Sequence, residues 1–138
     1  MTDLPMVHVI DDEESVRCGA SFFLSTSGYA VRTWESGAEF LREVSHVEKG
    51  CVLLDIGMPE MDGLEVQQQL NARGVTMPVI MLTGHGDIAM AVKAMKAGAV
   101  DFLEKPFETD ALEDAIRRAF ERLAAENKVG VRATDAEV

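Results

Sequence analysis

Basic residues are scarce in this chain, and several other features are missing altogether. Its 138 residues carry 13 Lys and Arg against 24 Asp and Glu, a formal net charge of −11. Binding to nucleic acid begins with a basic surface, so this chain is not expected to hold DNA or RNA by itself; a cation, or a basic patch on a protein partner, suits it better. No apolar run reaches the roughly 18 residues of a membrane-spanning helix. The N-terminus, MTDLPMVHVIDDEE, lacks the basic segment of a secretory signal and has acids where its apolar core should be, so the expected location is the cytoplasm. Cysteine is limited to Cys18 and Cys51, with neither CxxC nor zinc-site spacing. Both stand in apolar patterns and read as reduced, packed thiols. There is no internal repeat, no low-complexity stretch and no GxxxxGK[ST] phosphate loop.

What is present is enough apolar material, 47% of residues, to build a core in one domain of ordinary size. Short apolar runs alternate with amphipathic stretches. Met6 to Ile10 reads as a strand. Residues 14–27 place Val16, Ala20, Phe23 and Leu24 at helical spacing, and Gly28 stands where a helix-ending glycine belongs. Tyr29 to Trp34 alternates as a second strand, and Ser36-Gly37-Ala38-Glu39 is a capping box opening a helix to about Val44. Cys51 to Leu54 predicts a third strand. Gly63 to Arg73 predicts a helix with Leu64, Val66 and Leu70 as candidates for burial, stopped by Gly74. Pro78 to Leu82 is a fourth strand; Asp87 caps a helix to Ala97, ended by Gly98; Val100 to Leu103 is a fifth strand. Thr109 caps a last helix to about Ala125, with Leu112, Ile116, Phe120 and Leu123 on one face. Residues 126–138 show no strong pattern and read as a linker or frayed end. The expected fold is α/β: a (βα)5, doubly wound, five-stranded parallel sheet over residues 1–125, covered on both faces, in the common order 2-1-3-4-5.

That order gives the acids a meaning. Asp11 and Asp12 follow strand 1, and Asp55 ends the greasy run of strand 3 in CVLLDIGMPEMDG. If strands 1 and 3 are neighbours, three carboxylates meet at one sheet edge, where such folds bind ligands. Three like charges raise one another's pKa values, and a hard divalent cation such as magnesium would offset them. An Asp-Asp pair alone is also an ordinary loop pair, and Asp12 could cap the first helix. Thr83, ending strand 4 in MLTGHGD, and Lys105, ending strand 5 in DFLEKPF, add a hydroxyl and an ammonium at the same edge. A phosphoryl group on Asp55 would need both. Each alone could be a surface or turn residue. Before Pro106, a cis bond is far cheaper than elsewhere and would aim Lys105 inward, although trans remains the commoner form.

These residues match a known pattern. Asp11-Asp12, Asp55 within LLDIGMPEMDG, Thr83 within LTGHGD and Lys105-Pro106-Phe107 within DFLEKPF together resemble the receiver domain of two-component response regulators, from about residue 5 to 124. The stretch TGHGDIAMAVKAMKAGAVDFLEKPFE is most similar to FixJ-type receivers, which precede a LuxR-type helix-turn-helix domain. The resemblance implies a phosphorylation-dependent switch with the flavodoxin-like receiver fold. Asp55 would take a phosphoryl group from a phosphohistidine on a sensor histidine kinase. Asp12 and Asp55 would bind Mg2+ directly, with the main-chain carbonyl of Gly57, and Asp11 through a metal-bound water. Lys105 would pair with phosphoryl oxygens, Thr83 would swing to bond them, and Phe102 would rotate inward. The face of helix 4, strand 5 and helix 5, with Val92, Met95 and Lys96, would then change shape and dimerise, controlling transcription through an attached DNA-binding domain. On this reading the chain is not an enzyme but a phosphoacceptor that takes part in its own Mg-dependent phosphorylation and dephosphorylation. Without the family, Phe102 would be a routine core aromatic.

Gly57 departs from the larger side chain often found two residues after the acceptor, which puts dephosphorylation rate and partner contacts in question. His85 near the site reads as a loop imidazole; His8 and His46 carry no signal. Residues 126–138 are too few for a helix-turn-helix module. The tail ENKVGVRATDAEV resembles the start of a linker, which favours a receiver cut from a longer regulator over a natural single-domain one. Two rival classes fit less well. A haloacid-dehalogenase-type phosphatase needs a second acid where Gly57 stands. A flavodoxin-type flavin module needs a Ser/Thr-rich loop where Asp11-Asp12-Glu13-Glu14 would repel phosphate.

Overall fold

The computed structural model describes residues 4–84 and 88–137, with residues 126–137 as main chain alone. Apolar runs and amphipathic stretches alternate in the chain, and so do strands and helices. They are β1 (Met6–Ile10), α1 (Glu14–Thr26), β2 (Ala30–Trp34), α2 (Gly37–Glu43), a single 3-10 turn at Val44–His46, β3 (Gly50–Asp55), α3 (Gly63–Ala72), β4 (Val79–Thr83), α4 (Ile88–Lys96), β5 (Asp101–Glu104) and α5 (Thr109–Glu137). The strands form one sheet in the order β2-β1-β3-β4-β5, every pairing parallel.

Continuous apolar strands follow from this topology, because alternate side chains enter two different cores. Val7 and Val9 of β1, Cys51 and Leu53 of β3, and Ile80 and Leu82 of β4 pack with Ala20 and Leu24 of α1 and with Leu112, Ala115 and Ile116 of α5. The residues between them, Ile10, Val52, Leu54, Val79 and Met81, pack on the other face with Phe40 of α2, Val66 and Leu70 of α3, and Ala94 of α4. His8 is buried on that second face. Its Nδ1 accepts from the Trp34 indole at 3.2 Å, and its Nε2 lies 2.7 Å from the Glu48 carbonyl.

Local chemistry sets the helix ends. Ser36 accepts from the Glu39 N–H, while the Glu39 carboxylate reaches the N–H of Glu35, one residue before the expected partner. A complete capping box also opens α3, where Asp62 and Glu65 bond each other's main-chain N–H groups. Its signal, D-x-x-E at Asp62 and Glu65, lies in the sequence. Gly28, Gly74 and Gly98 end their helices with φ of 98°, 72° and 114°.

Four expectations need correction. Cys18 is exposed rather than packed, because it stands two residues, about 200° of helix, from Val16 and so opposite the buried stripe of α1. Phe102, a routine core aromatic only on the reading without the family, is 41% exposed, since β5 is an edge strand and turns this residue outward. Thr109 is the first residue of α5, not its cap; the Leu112 N–H bonds the Glu108 carbonyl. The helix expected to end near Ala125 continues to Glu137. The roles given to His85 and to Asp87 as a cap lie outside the described residues.

Candidate functional site

Strand register brings the site together. Ile10 pairs with Leu54, so Asp11 and Asp55 leave neighbouring strands at the same level. Asp55 pairs with Leu82 and Thr83 with Glu104, which carries the edge across β4 to the end of β5, one residue before Lys105. Ligand atoms of Asp11, Asp12 and Asp55 lie within 4.8 Å of one another; Asp11 and Asp55 are buried and Asp12 is exposed. Asp12 does not cap α1, whose N-cap is Glu13.

The Lys105 ammonium lies among the acids, 3.1 Å from Asp11 Oδ2, 3.2 Å from Glu13 Oε1 and 3.5 Å from Asp55 Oδ1. The Lys105-Pro106 bond is cis. Burial disfavours the lysine's charge, but the Asp11 hydrogen bond, with Asp55 and Glu13, outweighs it and holds the pKa above the ordinary value. Asp55 is pushed the other way from a typical ion-paired acid. Burial raises its pKa to about 6 and the Asp11 carboxylate adds to this, against the Gly57 N–H at 3.1 Å and the Lys105 charge. Asp11 is fixed by the Glu13 N–H on Oδ1 at 2.9 Å, and its carbonyl accepts from Arg17 at 2.7 Å. Sequence reasoning assigned neither Glu13 nor Arg17 a part.

Three carboxylates in this proximity, all hard oxygen donors, match what magnesium takes. One partly buried lysine faces these carboxylates, and the Asp11 charge adds to the rise that burial imposes on the pKa of Asp55. The donor set therefore fits the ion. Gly57 flanks Asp55, and a Cβ there would lie 3.9 Å from Asp55 Oδ1, so the glycine leaves this side of the acid open. A groove of about 810 Å3 runs from Asp12, Asp55 and Lys105 past Gly84 to Val16, Phe23 and Phe107 between α1 and α5.

Thr83 is buried beside the cluster's strand edge, its hydroxyl 3.5 Å from the Leu103 carbonyl. Phe102 lies on the neighbouring edge strand, β5, and faces outward. Val92 and Met95 are exposed on α4, with Ile88 beside them and Lys96 in its last turn. Apolar side chains so exposed on one helix and its neighbouring strand form a surface suited to a partner.

Comparison with known proteins identifies the family of this fold. The family described as response regulator receiver domain matches residues 7–117. The chain is 48% identical over 122 residues to the transcriptional regulatory protein FixJ of Azorhizobium caulinodans, covering 88% of this chain and 58% of that protein. It is 47% identical over 125 residues to FixJ of Rhizobium meliloti, covering 91% and 61%. The chain thus spans about three fifths of the length of these relatives. The crystal structure titled FixJ-N superposes with a TM-score of 0.82 at 46% identity, over 88% of this chain and 96% of that one. Full-length FixJ from B. japonicum gives 0.87 at 38%, over 97% and 66%. Acids at the ends of β1 and β3 and a lysine after β5 meet inside a sheet whose order and sequence these proteins share, and the chain belongs to the response regulator receiver domains.

Proposed function

We propose that this receiver accepts a phosphoryl group on Asp55 from a phosphohistidine of a sensor histidine kinase in the cytoplasm. The observation that carries the reading is the convergence on Asp55: a buried carboxylate, two further carboxylates within 4.8 Å, and the Lys105 ammonium at 3.5 Å. Phosphoryl transfer asks a protein for positioning and charge neutralisation, and these groups supply both.

Asp12 and Asp55, with the Gly57 carbonyl, would hold Mg2+, and Asp11 would act through a water. When bound, the ion neutralises charge on the phosphoryl oxygens. Lys105 then pairs with the phosphoryl group, and Thr83, one strand away, turns its hydroxyl toward it in place of its long contact with Leu103. The space Thr83 leaves admits Phe102, which is exposed in this state. Moving an aromatic side chain from solvent into the sheet edge changes the face of α4, β5 and α5, where Val92, Met95 and Lys96 stand, and the face pairs with a second copy. Residues 126–138 would lead to a DNA-binding output domain of the kind that relatives named as transcriptional regulators suggest. The domain is a phosphoacceptor that takes part in its own Mg-dependent phosphorylation and dephosphorylation, not a classical enzyme.

The test is the intact mass after incubation with acetyl phosphate. The gain of one phosphoryl group should require Mg2+ and vanish in Asp55→Asn. A gain that survives in the variant, or that ignores Mg2+, overturns the reading.

A further inference from the structure

Glu13 caps nothing with its side chain in the helix that it opens, although its main-chain carbonyl accepts the first helical hydrogen bond, from the Arg17 N–H at 3.1 Å. It is the N-cap residue of α1, with extended backbone at φ −92° and ψ 119°, yet its side chain makes no capping hydrogen bond. Ser, Thr, Asp and Asn fill that role well; glutamate does not. Nor does Glu13 belong to the three carboxylates close enough to share an ion. Its carboxylate instead accepts from Lys105 Nζ at 3.2 Å, while its main-chain N–H holds Asp11 Oδ1 at 2.9 Å. It touches two residues of the site without touching Asp55.

We infer that Glu13 is a positioning residue that brakes phosphoryl uptake by holding Lys105 at the mouth of the site. The inference rests on Asp55 being the phosphoacceptor. An ammonium has three N–H donors, and Lys105 faces three carboxylates, Asp11, Glu13 and Asp55. A phosphoryl group arriving on Asp55 must displace one of them. The Asp11 side chain is fully buried and has no water to turn to; the Glu13 side chain is 59% exposed and is the contact most cheaply released. Charge acts in the same direction. Three carboxylates already face one ammonium, and the small-molecule donor is itself an anion. In the transfer an Asp55 oxygen bonds to phosphorus as the bond from phosphorus to the acetate oxygen breaks, and acetate leaves with the electron pair. The arriving donor and the phosphoryl group left on Asp55 both place negative charge near Glu13.

The test compares initial rates of uptake from acetyl phosphate with saturating Mg2+, read by intact mass, for the whole chain and for Glu13→Gln, with Glu13→Ala as a second variant. At low salt both variants should react about two- to fivefold faster, the size of an exposed ion pair. The advantage should fade toward 1 M NaCl, where the screening length shrinks to about 3 Å. A purely structural role for Glu13 would give no such salt dependence. Equal or slower uptake at low salt, or acceleration that persists at high salt, overturns the inference. A wild type that takes up nothing overturns the phosphoacceptor reading and the brake together, whereas a wild type that labels normally beside variants that are no faster overturns the brake alone.

Discussion

Asp55 ends a buried strand, and its pKa rises from 3.8 to about 6 because burial and the Asp11 carboxylate disfavour its charge. The folded chain therefore keeps a proton there that the unfolded chain releases. The associated stability is complete below about pH 4 and is lost as pH rises through about 6. Asp55→Asn avoids that loss. In metal-free buffer near pH 7.5 the variant should be about 1–3 kcal/mol more stable than wild type, with the difference gone near pH 4. Urea unfolding at both pH values checks this, and equal stability near pH 7.5 would show that the charge is already relieved. Gln67 on α3 poses a second question. It is buried, its Nε2 bonds Asn71 Oδ1 at 3.0 Å, and Asn71 Nδ2 bonds the Ala97 carbonyl at 2.7 Å. Its Oε1 has no hydrogen-bond partner. A buried unpaired carbonyl costs about 1–3 kcal/mol, so Gln67→Leu should be neutral or stabilising; a loss above about 1 kcal/mol would show that the amide chain to Ala97 outweighs the orphan. The individual site residues that could be read in advance share one property. Asp11, Asp12, Asp55, Thr83 and Lys105 stand where apolar runs stop, and the end of a run is visible in a sequence. Glu13 was not legible because it stands past the end of its apolar run, one acid among four in DDEE.

At the scale of elements, the start of α3 presses on the end of β3. A Cβ on Gly63 would lie 2.6 Å from the Asp55 carbonyl oxygen and 2.7 Å from Ile56 Cα, both main chain. Main chain cannot yield as a side chain can. Gly63→Ala should cost about 2 kcal/mol or more and slow phosphoryl uptake by shifting Asp55. Thermal unfolding and labelling rates read the two effects, and wild-type values in both would show that the loop from 56 to 62 adapts freely. Element type was legible wherever a period was clear, as in α1 and the strands. Boundaries were less so. The run of β5 did not reveal that its phenylalanine faces outward, because exposure on an edge strand depends on what lies across it. The last helix outran its apolar stripe, which ends with Leu123.

The whole molecule is a small sheet with its chemistry at one edge and an exposed apolar face nearby. Ile88 at 66%, Val92 at 47% and Phe102 at 41% exposure leave much apolar surface in water. If phosphorylation pairs this face between copies, sedimentation should show a shift from monomer to dimer on labelling. Val92→Glu should abolish the shift while leaving phosphoryl uptake intact. A monomer in both states of the wild-type chain would reject the pairing. The strand order was legible because continuously apolar strands demand covered faces and right-handed crossovers leave few topologies. That order then placed the site. The name of the residue that carries the phosphoryl group is read most directly by trapping: label the chain with acetyl phosphate and Mg2+, reduce the acyl phosphate with borohydride, and sequence the peptides. Homoserine at position 55 is the expected product. A labelled chain with an intact Asp55, or with homoserine at Asp11 or Asp12, would contradict the assignment.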